Sequence, residues 1–292
     1  MIELFLNYLR YEQNRGELTV MRYEKSLRGF QAYFENIDKS LSWKTVDGDL
    51  IRSWMETLVD QGHKATSVNA DLTALRSFFR FALSRNLVDR DPARLIKGPK
   101  KQKPLPQFMK ESDMDKLLDD SDWGNDFINV RARTIILLLY ETGIRRSELV
   151  GINDDDVDLE TCLLKVTGKR DKQRLIPFGT ELAEAIKHYM EVRNQQVNRQ
   201  TEGLFLDRKG RRMTAGQLYY EVKNQLSKVT TMKKRSPHVL RHTFATAMLN
   251  NGAGLESVRQ LLGHESLETT EIYTHTTFQQ LKRVYKDTHP RG

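Results

Sequence analysis

The stretch Lys97 to Phe108, KGPKKQKPLPQF, constrains this chain more than any other. Three prolines and four lysines with almost no apolar residues cannot form a packed element, so the segment is a stiff basic linker. A chain of 292 residues divided there has length for two domains, each with its own core. The expected organisation is a domain over 1–98, a linker over 99–108 and a second domain over 109–292.

Residues 1–98 follow helical periodicity. Leu4, Phe5, Tyr8, Leu9 and Tyr11 suit one helix; Thr19 caps a second, with Tyr23, Leu27, Phe30 and Phe34 along its buried stripe. Asp47 opens a third through Leu50, Ile51, Trp54 and Leu58, and Ser67 to Leu87 makes a long fourth carrying Leu72, Leu75, Phe78, Phe79, Ala82 and Leu83. Four amphipathic helices with short connections make a small bundle, whose aromatics are core. The opening MIELFLNYLRYEQ has no basic leader, and polar residues interrupt its apolar ones, so it is neither a signal peptide nor a membrane span.

The second domain mixes periods. Asp126 to Glu141 contains IILLLYETG, too apolar for a surface helix and too short for a membrane span, hence a buried central helix ended by Gly143. Arg145 to Glu148 open another short helix. Leu163 to Thr167 and Arg174 to Phe178 are β-type segments around GKRDKQ, a hairpin. Thr180 caps a helix to about Asn198, and another runs from Thr214 to about Val229. The fold class is therefore mainly α with a small β-sheet or hairpin, in two domains. The single Cys162 rules out an intrachain disulfide framework, is read as a small core residue, and points to a reducing compartment, hence the cytoplasm.

The chemistry concentrates in Ser236 to His275. Pro237 suits a first helical position, and the helix it opens brings His238, Arg241 and His242 to one face near its N-terminus, where free N–H groups and the dipole favour a phosphate. Leu255 to Leu262 form a second helix, and Gly263 ends it just before His264. Tyr273 lies on a third helical segment opened by Ser266. A tyrosine hydroxyl with a pKa of about 10 needs cations or a base to become a nucleophile, and attack on a phosphodiester needs donors on the non-bridging oxygens and an acid for the leaving group. One Tyr, two Arg, two His and one Lys would meet those needs with no metal and no cofactor. His238 and His242 have the i, i+4 spacing of a zinc site, but Val239 stands where a metalloprotease needs Glu, and zinc is not the reading taken.

Charge points the same way. Forty-seven Lys and Arg against 39 Asp and Glu leave +8, which favours a polyanionic partner. Lys64, Arg76 and Arg80 on the fourth helix, Lys101 and Lys103 in the linker, and Arg211 and Arg212 in a basic turn are the candidate DNA contacts. Each such group is otherwise an ordinary solvated face.

Four blocks, YETGIRRSELVGI, VTGKRDKQRLIPFG, SPHVLRHTFATAML and LLGHESLETTEIYTH, resemble the signature blocks of the tyrosine site-specific recombinase (integrase) family, closest to its bacterial Xer type, in order and spacing. With the flanking architecture, the resemblance covers essentially the whole chain. It implies an N-terminal SAM-like core-binding domain and a C-terminal α+β catalytic domain that close around double-stranded DNA carrying a specific core site. It also implies the site residues: Tyr273 as nucleophile, Arg145, Arg241, His238 and His264 as transition-state donors, and Lys169, just after Gly168, as proton donor to the leaving 5′ oxygen. Arg146 departs from the aliphatic or small residue usual there. Glu148 at i+3 would orient Arg145; otherwise the two form an ordinary surface helix pair. The amphipathic helix from Thr276 to Asp287, with Phe278, Leu281, Val284 and Tyr285, either docks on its own domain or, as the family implies, packs into a neighbouring protomer of a homo- or hetero-tetramer.

The reading is recombination of the Xer type, such as chromosome dimer resolution, with a DNA translocase as a further partner and no membrane. Other readings are a mobile-element integrase of minimal two-domain form, a type IB topoisomerase and a non-catalytic DNA-binding accessory protein. The intact nucleophile and cation set disfavour the last; the short length and the apolar terminal helix disfavour the topoisomerase. A phage-type integrase would be expected to carry an arm-binding segment before the helical domain.

Overall fold

A computed structural model of the chain describes residues 1–100, 107–119, 123–168, 171–263 and 275–292, the side chains of 275–279 excepted. The chain forms two compact units, Met1–Pro104 and Leu105–Gly292, with separate hydrophobic cores.

In the first unit, α1 (Ile2–Asn7) continues into a π-helical turn, Tyr8–Glu12. The buried stripe is Ile2, Phe5, Leu6 and Leu9, at i, i+3, i+4 and i+7. Leu4 and Tyr11, expected on that face, are 56% and 81% exposed, because Leu4 sits about 100° round from Phe5 and Tyr11, two residues past Leu9, falls on the opposite side. Helices α2 (Glu17–Ile37), α3 (Gly48–Asp60) and α4 (Ala65–Ser84) complete the bundle. Asp47 caps α3, accepting from the Leu50 amide at 2.9 Å. The expected cap at Thr19 is corrected: α2 starts behind Gly16, so Thr19 lies inside a first turn already formed, and α4 starts at Ala65, two residues before the expected Ser67. Trp43 meets Phe78 at 4.4 Å between ring centroids, within a cluster that includes Phe30, Phe34 and Phe79. The one carboxylate sunk into this bundle wall, Asp71, is satisfied by Ser26 at 2.7 Å and Arg22 at 2.8 Å.

The second unit is built on α6 (Phe127–Thr142), preceded by α5 (Glu111–Leu118). From Val130 to Thr142 every α6 residue except Arg133 is buried. Asp126 caps its start, and Gly143, at φ 59°, ends it in the left-handed conformation. Next come α7 (Arg146–Gly151) and an antiparallel sheet ordered β1 (Val157–Asp158), β2 (Leu163–Thr167), β3 (Gln173–Pro177). The register pairs Val166 with Arg174 and Thr167 with Gln173, and Leu164 and Val166 face the core. Cys162, half-buried at φ 53°, stands at the edge of the core before β2.

Helices α8 (Thr180–Gln196), α9 (Ala215–Val229) and α10 (Pro237–Asn250) pack around α6, followed by α11 (Leu255–Leu262) and α12 (His275–Thr288). Gly179 rather than Thr180 is the residue before α8, whereas Thr214 does cap α9 in a box with Gln217. The α12 helix lies on its own domain: Leu281 and Tyr285 are buried in this core, and the Tyr285 hydroxyl donates to Glu141 Oε2 at 3.1 Å. Beyond it Arg291 pairs with Asp119 and Glu181, each at 2.5 Å. Among the described residues no helix is long and apolar enough to cross a membrane.

Candidate active site

Two helix ends and one hairpin converge on three arginines. Each helix end leaves carbonyls without intrahelical donors and carries the negative end of a dipole, so both attract guanidinium groups. Arg241, in the first turns of α10 and only 8% exposed, donates to Gly143 O at 2.7 Å and to Leu262 O at 2.8 Å, clamping the ends of α6 and α11 together. Arg145, the residue before α7, reaches the next carbonyl, Gly263 O, at 3.0 Å. The two guanidinium groups therefore rest on adjacent carbonyls, Leu262 and Gly263.

Both glycines are required there. Gly143 and Gly263 have φ of 59° and 65°, and a Cβ on Gly143 would lie 2.5 Å from the Phe244 ring and 2.9 Å from Leu262. Their carbonyl directions follow from those conformations.

Glu148 is the counter-ion. Its side chain is 2% exposed and accepts from Arg145 Nη1 at 2.8 Å, the Arg145 amide at 2.7 Å, Arg174 Nη1 at 3.0 Å and Arg174 Nη2 at 2.9 Å. Burial pushes this carboxyl up, but the hydrogen bonds and charge of Arg174 and the hydrogen bonds of Arg145 outweigh it and hold the pKa at about 2. Burial, and then the charge of Arg145, lowers Arg241 to about 10, so it remains a cation at neutral pH.

His238 is the second residue of α10, one turn before Arg241, with an exposed edge. Partial withdrawal from water, then the positive charges of Arg146 and Arg241, lower its pKa and favour the neutral imidazole. Arg146 itself lies over the Tyr219 ring, 6.0 Å from its centroid. His242 is exposed on the same helix. Lys169, His264 and Tyr273 lie outside the described residues, although Gly168 and Gly263 bring the chain to the threshold of the first two.

Arg174 is the member of this cluster that sequence reasoning left without a role. A signal existed: alternation along β3 puts Arg174 on the face of Ile176, which is buried, and a charge on a core face needs a carboxylate.

The candidate DNA contacts divide. Lys64, at the start of α4, and Arg80 are exposed. Arg76, half-buried, donates to the Ala93 carbonyl at 3.2 Å and to that of Ile96, pinning the chain after α4. Arg212 likewise donates to Val150 O at 2.8 Å, Ile152 O at 3.0 Å and Asn153. Each of these two guanidinium groups therefore clamps backbone, as those of Arg145 and Arg241 do. Arg211 pairs with Asp207 at 2.9 Å while its side chain stays 59% exposed. Lys101 and Lys103 lie outside the described residues.

Residues 107–280 match the Phage integrase family and residues 2–86 match the Phage integrase, N-terminal SAM-like domain. The chain belongs to the phage integrase family, and within it the chain is a tyrosine recombinase similar to the Xer type. It is 36% identical to Tyrosine recombinase XerC of Chlorobaculum tepidum, over 99% of this chain and 94% of the relative. It is also 36% identical to Tyrosine recombinase XerD of Staphylococcus haemolyticus, over 100% and 99%. Two solved structures share the fold. The XerH site-specific recombinase in a post-cleavage complex with palindromic difH substrate aligns at TM-score 0.72 and 24% identity, covering 97% of this chain and 83% of that one. The Tn1549 transposon integrase in complex with transposon right end DNA aligns at TM-score 0.72 and 19% identity, covering 97% and 98%.

Proposed function

We propose that this recombinase exchanges strands at a specific Xer-like core site through a 3′-phosphotyrosyl intermediate formed on Tyr273. In this account the Tyr273 oxygen attacks the scissile phosphorus, its proton passing to His238, while the bond to the 5′ oxygen breaks and Lys169 protonates the departing oxygen. Arg145, Arg241 and His264 bind the non-bridging oxygens as charge develops on them. The free 5′-hydroxyl of a partner strand then attacks the phosphotyrosine, releasing Tyr273. One phosphodiester is lost and one regained, so the exchange needs no ATP.

The observation that carries this reading is the pair of guanidinium groups on adjacent carbonyls, Arg145 on Gly263 and Arg241 on Leu262, fixed before any substrate arrives. Rigid donors of this kind are worth most where charge appears only in the transition state. A lowered His238 pKa suits a proton acceptor at neutral pH.

The relatives named Tyrosine recombinase XerC and XerD support the Xer type; the setting taken here is chromosome dimer resolution in the cytoplasm, with a tetramer of identical or paired recombinases on DNA and a DNA translocase as regulator. In such a tetramer α12 would leave the surface it occupies here for the equivalent surface of a neighbour. A nicked suicide duplex carrying a Xer-like core site tests the proposal. A covalent protein–DNA band that survives denaturation and is absent with Tyr273→Phe is expected. Tight, salt-sensitive binding with no covalent band would favour the accessory-protein reading.

A further inference from the structure

Arg174 belongs to β3, the strand that leaves the hairpin tip, yet its contacts all lie on other elements. Its Nη1 and Nη2 take both oxygens of Glu148 on α7, at 3.0 and 2.9 Å, and its Nε donates to Leu261 O at the end of α11, at 3.1 Å. The side chain is only 9% exposed. A Cβ on Gly263 would come within 3.0 Å of the same guanidinium, so the chain passing from α11 toward His264 is moulded against Arg174. On the hairpin, Val166 faces Arg174, and Gly168 N donates to Lys172 O at 2.8 Å. One planar fork thus ties the hairpin it grows from, which leads to Lys169, to two other pieces of chain that each lead to a proposed site residue: α7 to Arg145 and the α11 end to His264.

We propose that Arg174 is a positioning residue of the strand-cleavage site, holding Glu148 and through it Arg145, and fixing the hairpin that carries Lys169 against the last turn of α11. This rests on the reading of Arg145 as the phosphate-binding arginine and Lys169 as the proton donor. The geometry needs a guanidinium. A lysine has no rigid fork and cannot satisfy both Glu148 oxygens and the Leu261 carbonyl together. A neutral side chain would leave Glu148 with Arg145 alone and free the hairpin base.

The test compares wild type, Arg174→Lys and Arg174→Gln in single-turnover cleavage of three suicide duplexes identical except at the scissile linkage. One has the natural phosphodiester, one a 5′-bridging sulfur that departs without protonation, and one a methylphosphonate lacking one non-bridging charge. Arg145→Ala and Lys169→Ala run alongside. On the phosphodiester, Arg174→Gln is expected to be slower by about 100-fold, the effect of misplacing reacting groups by about 1 Å, with Arg174→Lys in between. Its deficit relative to wild type should shrink to about 10-fold or less with the sulfur substrate and with the methylphosphonate, because each removes the demand that a misplaced group fails to meet. Backbone hydrogen exchange of α7 and β2–β3 should be faster in Arg174→Gln than in wild type, with α6 unchanged.

A folded Arg174→Gln with the same deficit on all three duplexes, while Arg145→Ala and Lys169→Ala recover selectively, would overturn the proposal. If neither control recovers selectively, the assignment of those two residues has failed. Exchange then decides on its own: faster exchange in both α7 and the hairpin retains the positioning role, and unchanged exchange in either overturns it.

Discussion

Glu148 and Glu141 are both buried in the catalytic unit, and their surroundings move their pKa values in opposite directions. Glu148, among guanidinium donors, falls from 4.5 to about 2. Glu141 at the end of α6 is raised by burial to about 7, opposed by donation from the Gly179 amide and the Tyr285 hydroxyl to Oε2. A lowered carboxyl stabilises the fold fully above its unfolded value, and that contribution disappears as pH falls toward its folded one. The stability difference between wild type and Glu148→Gln in denaturant titrations should therefore shrink by about 3 kcal/mol as pH falls from about 4.5 to about 2. A raised carboxyl acts the other way: its contribution is complete below the unfolded value and lost as pH rises through the folded one. Glu141→Gln should gain on wild type by up to about 3 kcal/mol between about pH 4.5 and pH 8. Flat differences would show that the two groups titrate alike folded and unfolded.

At the scale of elements, the frame depends on where helices stop. Gly143→Ala combines a left-handed backbone with an overlap on Phe244, and should cost about 2–4 kcal/mol by denaturant unfolding. Because Gly143 O holds Arg241, cleavage should fall further than the folded fraction does. An unchanged midpoint would mean that the α6 end has room to shift. Signals of this local kind were legible in the chain: Asp47, Asp126 and Thr214 cap helices, Pro237 opens α10, and Gly143 and Gly263 close theirs. What sequence could not supply was long-range choice of partner. Arg76, Arg174 and Arg212 look alike as basic residues, yet they answer to carbonyls and a carboxylate 17 to 87 positions away. The expected cap at Thr19 failed for a local reason: α2 begins behind Gly16, one turn before the hydroxyl.

The molecule as a whole carries +8 over two units with separate cores. DNA binding should weaken linearly in log salt, and Lys101→Ala with Lys103→Ala should reduce that slope by about 2, since each phosphate contact releases close to one counterion. An unchanged slope would place both lysines off the DNA. The proposed strand exchange turns on one bond, between a tyrosine and a 3′ phosphate, and it can be located directly. The covalent complex from the suicide duplex, digested with protease and nuclease and read by mass spectrometry, should carry its residual nucleotide on the peptide containing Tyr273. A nucleotide on any other residue, or a cleaved duplex with no protein attached, would contradict the account.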